Sequence, residues 1–184
     1  RNNQANKIQN KSLKLSLLLS LPASVALIIG SEEIVNALFG YGSFTENDIE
    51  QTSRALRYFG YGIPAFATLK IFANFFFARD NTMTPFKVSL IVVIINIIIS
   101  FVFFKKIGFI IIPIATTLST WIGVFYYLSH LLKIGYLKIE LEFYINLLKI
   151  VFSTSIMSYV FHNSLIYFAK NLSYSSDYKI LYLL

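Results

Sequence analysis

The stretch from Phe86 to Phe104, "FKVSLIVVIINIIISFVFF", carries a single charge, Lys87. A run this apolar suits a membrane-spanning helix, because about 20 helical residues cross a hydrocarbon core about 30 Å thick with every backbone polar group paired inside the segment. "LIVVIINIIIS" is too long for an ordinary strand and lacks the strict alternation of a barrel strand. The feature recurs, and the recurrence sets the class.

Spans are predicted at 13–30, 56–78, 86–104, 107–132 and 143–169, with a truncated sixth starting near Ile180. Pro22 falls inside the first and is expected to kink it. The fold class predicted is an all-α polytopic membrane bundle of five complete spans and the start of another, with residues 1–184 forming one membrane domain. Composition agrees: 56% of residues are hydrophobic and 14% charged, whereas soluble domains are about one quarter charged. The opening "RNNQANKIQNKSLK" has the basic character of a signal-peptide start. The apolar run that follows continues through Pro22 without a small-residue cleavage site, so it reads as a membrane helix.

A net charge of +7 would suggest nucleic acid in a soluble protein. Here the basic residues sit between apolar runs, as the positive-inside rule predicts, and nucleic-acid binding is excluded as a reading. With the N-terminus cytoplasmic, nine basic and three acidic residues fall on that side, six and six on the other, and Lys70 inside a span. Both ends of the sequence look cut, since it opens on Arg1 and stops within an apolar run. Cysteine is absent and the two histidines, His130 and His162, are far apart, so no thiolate or zinc site is expected.

Between the first two spans, glycines 40 and 42 break the chain and Thr45 is placed to cap a helix starting "ENDIEQ", with acids in its first turn. Arg79 and Pro85 belong to "FFFARDNTMTP", a tight cytoplasmic turn: Arg79 ends one helix, where a cation suits the dipole, and Pro85 opens the next.

Lys70 is the one ionisable residue deep within a predicted span, eight residues before Ala78, or about 12 Å along a helix. A lysine at the bilayer centre costs about 2.5 to 3.5 kcal/mol on insertion scales. It either snorkels to a headgroup or faces a wet cavity that takes an anionic substrate. Asn74, one turn away, prolongs the polar stripe. Asn96 and Ser100 are four apart on the third span, as are Thr116 and Thr120 on the fourth. These oxygens either bond between helices or line a cation site. Ala115, Ser119 and Gly123 form a small-residue stripe that lets helices approach closely. Aromatic residues of the fifth span, such as Phe152 and Tyr159, suit lipid contact or an isoprenoid tail. No nucleophile elbow, Walker loop, HExxH or paired intramembrane carboxylate is present, so no enzyme is predicted.

"LPASVALII" at Leu21, "LFGYGSFT" at Leu38, "RALRYFGYGIPAFATLKIFANFFFARDNTMTP" at Arg54 and "IATTLSTW" at Ile114 resemble the C-terminal half of the MurJ/MviN lipid II flippases. That family belongs to the multidrug/oligosaccharidyl-lipid/polysaccharide exporter superfamily. The likeness runs over residues 13–133 and departs from the family pattern at Tyr41 and Met83, among other positions. It implies a fourteen-helix, two-lobe flippase of the bacterial inner membrane, of which this chain supplies the ninth helix to the start of the fourteenth. The missing N-terminal half would be its partner within the same protein, together with membrane lipids. The implied activity is alternating-access transfer of a lipid-linked peptidoglycan precursor, a polyprenyl diphosphate, with Lys70 and Asn74 lining the cavity. The resemblance also implies a sodium ion near Asn96, Ser100 and Thr116 as the candidate cofactor. The alternatives are a related exporter, whether a polysaccharide-lipid flippase or a cation-coupled drug antiporter, and a non-transporting membrane scaffold.

Overall fold

The computed structural model describes residues 2–138 and 141–168. Seven α-helices follow in order: α1 (Asn2–Ile29), α2 (Ser31–Phe39), α3 (Glu46–Gly60), α4 (Ile63–Phe77), α5 (Met83–Ile107), α6 (Ile111–Lys133) and α7 (Leu141–Phe168). No strand occurs among the described residues. The predicted sixth span from Ile180 lies outside them.

Among the described residues, three apolar segments are long enough to cross a membrane: Asn6–Ile29, Met83–Lys133 and Leu141–Phe168. The second is a helical hairpin. α5 extends through Lys105 and Lys106, Gly108 turns the chain at φ 74°, and a single 3-10 turn, Gly108–Ile110, leads into α6, which packs along α5. A positive φ there suits glycine, which has no Cβ to clash.

The predicted span 56–78 is the exception to a simple rod. It is built from the end of α3 and the whole of α4, broken at Tyr61 and Gly62. Pro64 stands at the start of α4 and lacks the N–H that would have bonded Gly60, so the helix changes course there. With only 15 residues, α4 alone rises about 22 Å. The last turns of α3 make up the remaining depth. α2 lies against α3, and Thr45 caps α3 in a reciprocal box in which Asp48 returns a bond to the Thr45 amide.

α4 packs against both α1 and α6, and α7 lies along α1. Phe72, Phe75 and Phe76 of α4 meet Leu13 of α1, Val88 of α5 and Val124, Tyr127 and Leu131 of α6 in the core. The small-residue stripe is buried at this junction. A methyl at Gly123 would fall 2.6 Å from Val92 and 2.9 Å from Leu69, so glycine lets three helices meet.

Candidate functional site

Polar groups inside the bundle fall into sets that differ in how fully their hydrogen bonds are met. The first surrounds the break between α3 and α4. Gly62 N–H donates to Phe59 O at 2.8 Å, which leaves the Tyr58 carbonyl free, and Pro64 leaves the Gly60 carbonyl free. Ser24 Oγ of α1 donates to Gly60 O at 2.7 Å, and Thr117 Oγ1 of α6 donates to Tyr58 O at 2.8 Å. Trp121 Nε1, one turn along α6, donates to Tyr61 O at 3.1 Å. Side chains from two neighbouring helices thus repair a break that would otherwise leave carbonyls unpaired in lipid.

A second set gathers at the other end of α4. Asp80 adopts φ 55° and ends the helix, with Asn81 N–H returning to Phe76 O at 3.1 Å. This is the left-handed closure that Asp tolerates better than most residues. Arg79 Nη1 donates to Phe75 O, and its guanidinium lies 4.4 Å from the centre of the Tyr136 ring. With the Gln9 amide oriented to satisfy its surroundings, its oxygen accepts from both Arg79 Nη atoms at 3.1 Å and its nitrogen donates to Tyr136 O at 2.8 Å. Arg79 therefore ties α1, the end of α4 and the segment after α6 together. Asn81 Oδ1 accepts from the Thr84 amide at 3.0 Å, so the same turn satisfies the start of α5, where Pro85 is buried.

The third set links α5 to α6. Asn96 Nδ2 donates to Thr116 Oγ1 at 2.8 Å, Thr116 Oγ1 donates to Ile112 O at 2.8 Å, and Ser100 Oγ reaches Asn96 Oδ1 at 3.5 Å. The structure brings these three residues together as a hydrogen-bond chain. A cation there would have to draw Asn96 Oδ1 and the two hydroxyl oxygens away from existing contacts.

Lys70 and Asn74 form the fourth set, and it is unlike the others. Both are exposed on one face of α4, flanked by exposed Phe66 and Phe77, while the opposite face carries the buried phenylalanines. Neither side chain has a hydrogen-bond or ion-pair partner among the described residues. An ammonium, an amide and two aromatic rings thus share one face of a helix that is otherwise embedded in protein. Such a face can bind an anion through the ammonium and hold its apolar portion against the rings.

Sequence reasoning did not assign the roles of Ser24, Thr117, Gln9 and Tyr136. For the first two the signal was present: the glycines and proline of "FGYGIP" announce freed carbonyls, and hydroxyls on adjoining spans are their natural donors. For the last two no local signal exists, because their meeting with Arg79 depends on how the helices associate.

The architecture and these intramembrane polar groups define a multi-pass helical membrane protein. The profile of the family described as "Lipid II flippase MurJ" matches residues 1–183, and the chain belongs to that family. A relative from Rickettsia prowazekii, "Probable lipid II flippase MurJ", is 34% identical over 156 residues, covering 85% of this chain and 31% of its own. "Lipid II flippase MurJ" of Thermosipho africanus is 34% identical over 119 residues, covering 65% and 25%. Among solved structures, "Lipid II flippase MurJ, inward closed conformation" superposes with a TM-score of 0.78 at 29% identity, over 98% of this chain and 36% of that one. The chain spans between a quarter and just over a third of the length of these proteins.

Proposed function

We propose that this chain is part of a flippase that carries a lipid-linked peptidoglycan precursor across the bacterial inner membrane, acting as a transporter with no covalent chemistry. The observation that carries the reading is the unpartnered Lys70 and Asn74 face of α4. A cation at that depth is costly unless it meets water or an anion, and the diphosphate of a polyprenyl-linked precursor supplies one. Lys70 attracts the diphosphate, Asn74 donates a hydrogen bond to it, and membership of the lipid II flippase family supports the choice of substrate. In the alternating-access cycle, the stripe would line a cavity closed on its other side by helices of the N-terminal half.

The test is complementation of a bacterial strain depleted of its own lipid II flippase by the full-length gene. Wild type is expected to restore growth, Lys70→Leu to fail at normal protein levels, and Lys70→Arg to restore growth partly. Growth with Lys70→Leu would remove the role given to the ammonium, and failure of the wild type would overturn the transport reading itself. Translocation in vesicles separates this reading from a drug antiporter, which would not move a polyprenyl diphosphate.

A further inference from the structure

A cavity of about 360 Å³ opens where the N-terminal parts of α1 and α7 meet, lined by Lys7, Asn10, Lys11 and Lys14 from α1 and by Glu142, Phe143 and Asn146 from α7. That volume lies within the range of small-molecule sites. The three lysines follow i, i+4, i+7 spacing, which aligns them on one helix face. They outnumber Glu142, so the cavity is cationic. Lys14 stands where the apolar run of α1 begins, and Lys7 lies about 10 Å further out along the axis. Together they span the headgroup layer, while Phe143 gives the cavity an apolar wall.

Asn10 fixes one wall of the cavity. It is 9% exposed, and its Nδ2 donates to Asn6 O at 3.0 Å and to Lys138 O at 2.8 Å, which ties α1 to the segment before α7.

We propose that this cavity binds the headgroup of an anionic glycerophospholipid from the leaflet at the α1 N-terminal end. The phosphate sits among Lys7, Lys11 and Lys14, a headgroup hydroxyl reaches Asn146 and Glu142, and the acyl chains leave past Phe143. Basic pockets between membrane helices bind anionic headgroups in this way. The distribution of lysine and arginine assigns the leaflet to the cytoplasmic side. The site lies on α1 and α7, apart from the α4 stripe, and does not rest on the transport reading.

Lysine acetylation footprinting of the full-length wild-type protein tests it, in nanodiscs of phosphatidylcholine with or without phosphatidylglycerol. Phosphatidylglycerol is expected to slow labelling of Lys7, Lys11 and Lys14 several-fold and to leave Lys105 and Lys106 unchanged. Equal labelling in both nanodiscs overturns the site, as does full protection in phosphatidylcholine alone, which would mean that protein covers it. Equivalent protection by millimolar inorganic phosphate would identify a free-anion site and overturn the lipid assignment. In native mass spectrometry, Lys7→Gln/Lys11→Gln/Lys14→Gln should hold phosphatidylglycerol roughly tenfold or more weakly. The triple arginine variant and Lys105→Gln/Lys106→Gln should retain it. Undiminished retention by the folded triple glutamine variant also overturns the proposal.

Discussion

Arg79 and Lys70 are both cations on or beside α4, and their surroundings are opposite. Arg79 is engaged by a carbonyl, an amide oxygen and an aromatic face drawn from three parts of the chain. Lys70 stands on an exposed face with no partner among the described residues. The two differ in where their electrostatic cost is met: within the fold for Arg79, and by the substrate anion for Lys70 under the proposed function. Under the proposed function, Arg79 is architecture and Lys70 belongs to the site that takes the substrate.

The comparison predicts that the two residues separate stability from activity. Arg79→Ala should cost the folded protein about 2 to 4 kcal/mol, since hydrogen bonds to charged groups and a cation–π contact are lost together. Chemical unfolding of the purified full-length protein measures this, and a loss under about 0.5 kcal/mol, the usual scale of surface substitutions, would break the contrast. Ser24→Ala combined with Thr117→Val should cost about 1 to 2 kcal/mol, on the scale of interhelical hydrogen bonds in membranes. Faster amide exchange confined to the break between α3 and α4 would mark its origin. Lys70→Leu should leave stability within about 0.5 kcal/mol of wild type or raise it, while abolishing complementation. A destabilised Lys70→Leu protein would return Lys70 to the architectural class.

The smallest effect concerns Asp48, outside the spans. Its hydrogen bonds with the Thr45 side chain and backbone hold its carboxyl below the ordinary 3.8. A folded-state value below the unfolded one makes the contribution complete above about pH 4 and removes it as pH falls further. Proteolysis between Tyr41 and Glu46 should therefore quicken under acid in wild type and depend little on pH in Thr45→Ala. An acid-tolerant protease provides the readout.

The spans were legible because membrane crossing is written along the chain in length and apolarity, as in the run from Phe86 to Phe104. The family was legible in the block from Arg54 to Pro85, and the profile match over residues 1–183 agrees. The division of the 56–78 span at Tyr61 and Gly62 was not foreseen, although Pro64 carried a signal for it, since a proline either kinks a helix or opens one. α2 was missed: nine residues after Gly30 form a helix through contact with α3, which local sequence does not record. Lys70 and Asn74 stood out because charge and amide are rare in such a segment. The partners of Arg79 were invisible because Gln9 and Tyr136 lie far from it in sequence and meet it only after the helices pack.

That last separation bears on how the protein is made. During synthesis from the N-terminus, Arg79 emerges well after Gln9 but before α5 and α6, and Tyr136 follows both helices. The contacts across α1, α4 and the segment after α6 can therefore form in full only once α5 and α6 have both been made, so the group that ties the most distant parts of the chain together is among the last to be completed.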